Sequence, residues 1–205
     1  KKMEIKYIGT GALVIAILAA VITMFLACSS TVPTGHTGIL TTFGKVEDVS
    51  LGNGLNFHKP WQNIVTMTNK EQTFTEANVS FSKDLQEVTY LYTVKYSLLP
   101  SAAPTIYKTV GEDYFNILLK SQINNSVKNA FGLREAEDMT EHRAMIQSEI
   151  HSAVSEYAKS YGIDATFFLD DFDFTDAYTN AIEAKQVAEQ EARRGETQQA
   201  METGR

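Results

Sequence analysis

The sequence predicts an α+β protein held by one N-terminal transmembrane helix. An uncharged apolar run opens the chain, strand-period patterning fills the first half of the remainder, and helical periodicity dominates the second half. The expected order is a basic lead at 1–6, a membrane helix at 7–28, a β-rich subdomain at 32–99, an α/β subdomain at 100–178, and an exposed helix at 179–205 that starts a coiled coil.

The anchor reads YIGTGALVIAILAAVITMFLAC, Tyr7 to Cys28, with no charged side chain. Its 22 residues reach roughly 33 Å as a helix, the depth of a bilayer's hydrocarbon core. Tyr7, Leu13, Ile17, Val21, Phe25 and Cys28 mark the anchor from end to end. A buried core helix is rarely apolar for so long, and a signal peptide has a shorter apolar core. Phe25-Leu26-Ala27-Cys28 loosely follows a lipoprotein box, so lipidation at Cys28 is an alternative. Lys1, Lys2 and Lys6 precede the span and the next lysine or arginine is Lys45. The excess of cations keeps the N-terminus cytoplasmic and sends the rest across the membrane.

About 175 residues remain, enough for one medium domain or two small ones. A net charge of −7 and no dense basic patch argue against nucleic acid as a partner. One cysteine excludes an intrachain disulfide.

After the polar Ser29-Ser30-Thr31, Pro33 and Gly35 mark a turn and Ile39 to Val46 reads as a strand. Asn53-Gly54 is a hairpin signal. Ile64 to Thr68 gives a further strand, and Phe74 to Phe81 a pair of short ones. The clearest strand puts Val88, Tyr90, Tyr92, Val94 and Tyr96 on one face. That tyrosine stripe is core rather than a ligand platform. Pro100 and Pro104 then break the pattern. A helix comes next on Phe115, Leu119, Ile123 and Val127, with Gly132 as its C′ stop. A second starts at an N-cap near Thr140, buries Ile146, Ile150, Val154 and Tyr157 or Ala158, and ends at Gly162. Ile163 to Phe174 returns to strand. In the last helix Ala177, Ala181, Ala184 and Ala188 form a narrow stripe among charges. A lone helix of this kind buries too little to be firmly held, so it leans on copies of itself or on a partner.

No catalytic constellation emerges. On one helix His142 and His151 would stand about 900° apart and face opposite ways. Asp170, Asp171, Asp173 and Asp176 lack a calcium loop's ligand spacing. Ser80-Phe81-Ser82-Lys83 copies an acylase string, but on strand and turn rather than on a helix. The expectation is a non-enzyme with no cofactor and no metal.

Six stretches, VPTGHTGILTTFGKV, GNGLNFHKPW, SKDLQEVTYLYTVKYSL, IYKTVGEDY, YGIDATFFLDDFDFTDAY and AIEAKQVAEQEA, carry a resemblance. In this order and spacing, from Val32 to Ala192, the chain resembles the prohibitin branch of the SPFH (band 7) family, in a prokaryote-like form. DDFDF departs from the family's milder alternation. The resemblance implies an SPFH domain in two subdomains and a scaffold assembled laterally into a large ring or cage. It implies a homo-oligomer, or a hetero-oligomer with a related SPFH subunit, that encloses a membrane patch and regulates access to a membrane AAA protease. Ala181, Glu183, Ala184, Lys185, Ala188, Glu189 and Arg193 would contact a neighbour. Phe57, Pro60 and Trp61 would touch lipid at the membrane interface, with burial of Trp61 the competing reading. The expected place is the cell (inner) membrane, single-pass, with the SPFH domain on the extracytoplasmic side. The alternatives are a low-order adaptor of a membrane protease and a lipidated extracytoplasmic binding protein.

Overall fold

A short helical stretch leads into antiparallel sheets and then helices in the computed structural model, which describes residues 15–25 and 28–203. Residues 15–25 are helical. Strands β1 (Ser29–Val32), β2 (His36–Thr42), β3 (Lys45–Leu51), β4 (Gly54–Phe57), β5 (Gln62–Thr68), β6 (Gln72–Phe81) and β7 (Glu87–Leu98) come after it. Next are α1 (Ala103–Thr109), a π-helical segment Phe115–Lys120, α2 (Ser121–Gly132), α3 (Ala136–Glu141) and α4 (Arg143–Ser160). Strand β8 (Ile163–Phe174) and helix α5 (Asp176–Thr203) end the described chain. It is α+β, β-rich first and helical later. The chain passes more than once between two compact units. One holds residues up to Gln72 with Tyr96–Ile117 and Ala158–Asp164, the other Thr73–Lys95, Leu118–Tyr157 and everything from Ala165.

In the first unit β1 pairs antiparallel with β4, and β2 lies between β3 and β5. Val32, Ile39 and Met67 are buried. Gly38 is glycine for want of room, since a Cβ there would come within 2.8 Å of Val32 Cγ2. Helix α1 packs against β2 and β3.

In the second unit the sheet order is β6-β7-β8. Val88, Tyr90, Tyr92 and Val94 are fully buried, as are Ile123, Val127 and Phe131 of α2 and Ile146, Ile150 and Val154 of α4. Each large side chain so buried contributes about 1.5–3 kcal/mol. Tyr90 meets Phe131 edge-on at 5.5 Å and Tyr92 stacks on Phe167 at 5.8 Å. Glu76 joins sheet to helix, accepting from Lys120 Nζ at 2.6 Å and from the Tyr92 hydroxyl at 3.0 Å. The opposite face of the sheet carries a polar row, Thr75–Thr93 at 2.8 Å and Thr93–Asp170 at 2.6 Å.

Several local expectations are corrected. The run Ile39 to Val46 is two strands, folded at Phe43-Gly44 with φ of 49° and 83°. Two consecutive residues with positive φ make the tight turn that suits a two-residue hairpin. Asn53-Gly54 closes no hairpin, because β3 and β4 lie in different sheets. The polar Ser29-Ser30-Thr31 belongs to strand β1, and Phe74 to Phe81 lies in one strand, not two. Thr140 sits inside α3, and Gly132 is the last residue of α2, whose C-cap is Leu133. His142 falls between α3 and α4, so the two histidines do not share a helix.

Tyr7 and Leu13 lie outside the described residues. Ile17, Val21 and Phe25 are helical, whereas Cys28 stands beyond the helix in a turn, half-buried. Among the described residues no helix is long and apolar enough to cross a membrane. The eleven residues of 15–25 reach only about 16 Å.

Candidate functional site

The helix at 15–25 has nothing folded over it. Ile15, Ile17, Leu18, Val21, Ile22, Met24 and Phe25 are all exposed by more than half. A helix apolar on every side is stable where its surroundings are apolar too. Its exit is tied to the β-unit. The Cys28 carbonyl accepts from His58 N–H at 2.8 Å, His58 and Ser30 bond at 2.9 Å, and the rings of Phe25 and Phe57 lie 5.4 Å apart.

Strand register gathers further residues at this end. Ser29 pairs with Phe57, and Thr42 pairs with both Lys45 and Gln62. The β2–β3 turn, the end of β4 and the 58–61 connection are therefore neighbours. Phe57, Pro60 and Trp61 are exposed, which sets aside burial of Trp61. Lys59 Nζ stands 5.8 Å over the Trp61 ring, and Gln62 braces the turn by accepting from Lys59 N–H at 2.9 Å. Phe43, which sequence reasoning missed, is the most exposed large apolar residue described, at 85%. Its one signal was the glycine after it.

Helix α5 is the second candidate surface. Ala181, Glu183, Ala184, Lys185, Ala188, Glu189 and Arg193 are exposed. Tyr178 and Ile182 are half-buried and line, with Phe174, Ala136 and Thr140, an open groove of about 390 Å³. Lys185 reaches Glu137 at 3.6 Å. Burial, then Asp84, Glu137 and Glu135, push the Tyr178 phenol above its ordinary pKa.

Other candidates have structural work. Ser80 is buried at the end of β6, and Lys83 pairs with Glu135 at 3.1 Å. His142 Nδ1 bonds to the Asp138 carbonyl at 2.9 Å, and His151 Nδ1 accepts from Phe167 N–H at 3.2 Å. Asp171 faces Arg143 at 3.5 Å.

Residues 30–205 match the SPFH domain / Band 7 family. The chain belongs to that family. Within it the similarity is to prohibitins. The chain is 29% identical to prohibitin 1 of Mus musculus over 194 residues, covering 91% of this chain and 69% of the relative. It is 31% identical to prohibitin-2 of Xenopus tropicalis over 197 residues, covering 92% and 62%. It is 29% identical to mitochondrial prohibitin complex protein 1 of Caenorhabditis elegans over 160 residues, covering 75% and 57%.

Two of the stretches that resembled the SPFH family turn out to be structural joints. In SKDLQ, Ser82 Oγ donates to Asp84 at 2.7 Å, and the same Asp84 oxygen accepts Ala136 N–H at 3.0 Å. A carboxylate from another segment thus serves the first turn of α3, whose own N-cap residue, Glu135, makes no side-chain capping bond. Burial opposes ionisation of Asp84, but these hydrogen bonds hold its pKa below the usual range. Leu85 in that motif has φ 60° and is 81% exposed. In GEDY, Gly111 turns the chain at φ 97° and Tyr114 is buried, its phenol pushed up to about 12 by burial and by Tyr96.

Proposed function

We propose that this chain is a membrane-tethered scaffold that assembles side by side, with copies of itself or with a related SPFH subunit, into a large ring or cage. The assembly encloses a patch of bilayer and regulates the access of membrane proteins to a membrane AAA protease. The chain sits in the cell (inner) membrane as a single-pass protein, N-terminus cytoplasmic and SPFH domain extracytoplasmic. Its role is to hold and exclude rather than to catalyse.

The observation that carries this reading is the uncovered apolar helix at 15–25, whose exit is tied to a β-unit end bearing exposed Phe57 and Trp61. The sequence continues the apolar run back to Tyr7, long enough for a span. SPFH membership and a relative named for a prohibitin complex support assembly. Confinement to two dimensions raises local concentration, so weak lateral contacts add up. A head-to-tail contact repeated about a closing rotation makes a ring.

The test is extraction of the full chain in mild detergent, then sizing and electron microscopy. A large, uniform particle is expected. A monomer or dimer under every mild condition overturns the proposal, and unaided turnover of a substrate overturns its non-catalytic part.

A further inference from the structure

A single helix tethers a domain yet lets it swivel about the helix axis, whereas side-by-side assembly needs every copy to face the same way. We propose that the Phe43-Gly44 hairpin tip and the Lys59–Trp61 turn, together with Phe57, form a rigid shelf that seats in the interfacial layer of a phospholipid bilayer and fixes the domain's heading. This inference rests on the membrane reading above.

The shelf is built by register. Thr42 pairs with Lys45 on one side and Gln62 on the other, so Phe43 and Trp61 are each one residue beyond a paired position on adjacent strands. Phe57 ends β4 just before the Lys59–Trp61 turn, and its pairing with Ser29 holds it at the helix exit. All three are exposed, by 85% at Phe43, 52% at Trp61 and 61% at Phe57. The mounting is stiff, for Phe43 occupies a two-residue turn with left-handed backbone (φ 49°), a conformation that disfavours a bulky residue. Strain of that kind persists where the surrounding structure over-determines it and gathers at functional positions.

Lipid suits the shelf better than a protein would. The exposed apolar helix ends against Phe57, so the bilayer surface it implies lies at the level of these rings. A protein seated there would have to wedge between the helix exit and the membrane. Tryptophan is among the residues enriched at membrane–water interfaces. Lys45 and Lys59, both exposed, flank the rings within reach of headgroup phosphates. Three points of contact define a plane, and one helix does not.

Trp61 is the only tryptophan, so its fluorescence reads the shelf directly. The full chain is reconstituted in phosphatidylcholine–phosphatidylglycerol vesicles brominated on upper acyl carbons. At least twofold quenching of Trp61 is expected, and the same in a Trp61→Phe, Phe43→Trp variant. A water-exposed, unquenched indole at position 43 in protein that still floats with the vesicles overturns the shelf and leaves the tether intact. Protein that does not float with vesicles overturns both. A Phe43→Ser variant that keeps its circular dichroism and flotation should lose the large particle at least fivefold. An undiminished yield overturns the heading role.

Discussion

Phe43 and Leu85 share a left-handed backbone and an outward-thrust apolar side chain, each at a cost that a glycine would avoid. Replacing Phe43 with glycine should raise stability by up to about 1 kcal/mol, read as a higher urea midpoint, while weakening the lipid contact proposed for that ring. Gly162 behaves in the opposite sense. Its φ is 72°, and a Cβ would lie 2.3 Å from Ala102 Cβ. Gly162→Ala should cost at least about 1–2 kcal/mol, and adding Ala102→Gly should recover only the part owed to the clash.

Glu76 supplies a pH test. The Lys120 ammonium holds its carboxyl below the ordinary 4.5 against burial, with help from Tyr92. A depressed folded pKa gives stability that is present above about 4.5 and lost as pH falls through the folded value. Glu76→Gln should lower the urea midpoint at pH 7 by an amount equivalent to roughly 1–3 kcal/mol. It should also flatten the acid limb below pH 4.5. An unchanged acid limb would remove Glu76 as its source. Tyr90, pushed up to about 12 by burial first and then by the Glu76 charge, acts at the other end of the scale. Its stabilisation holds below pH 10 and fades as pH climbs towards 12.

At the scale of elements, the half-buried side chains of α5 lie at its foot among the described residues. Tyr178 and Ile182 are half-buried, and the residues from Glu183 to Gly195 are exposed. Truncating both anchors to alanine should speed amide hydrogen exchange across 176–186 and leave β8 protected. Slow exchange there after truncation would place the hold elsewhere. The sequence was most readable where one face is buried and the other wet. Alternation of Val88, Tyr90, Tyr92 and Val94 marks β7, and Ile146, Ile150 and Val154 mark α4, because burial alone set those patterns. It was least readable where a tertiary contact overrode a local signal. Ser29–Val32 is polar, yet it becomes a strand because β4 completes its hydrogen bonds. Pro104 looked like a breaker but occupies the first turn of α1, where its missing N–H costs nothing. The Phe43-Gly44 turn hid inside a strand-like run for want of asparagine or aspartate. That miss left Phe43 out of the expected interface residues, among which Phe57 and Trp61 were named.

For the molecule as a whole, the proposal of side-by-side assembly turns on what α5 leaves uncovered. At 100° per residue, Ala181, Ala184 and Ala188 centre about 110° round the helix from Tyr178 and Ile182. The face that grips the chain's own α3 groove and the face of small residues are therefore separate, and one helix can hold its own body and still meet a neighbour. Small side chains let helices approach closely, and substituting them on an exposed face should leave the fold alone. An Ala184→Arg, Ala188→Arg variant is thus expected to keep its circular dichroism, its urea midpoint within about 0.5 kcal/mol and its attachment to membranes. Its large particle should fall to small species, because a bulky cation on every copy blocks close approach and repels its counterpart. Sizing after mild extraction reads the outcome. If the variant yields full-sized particles, neighbours do not meet through this face.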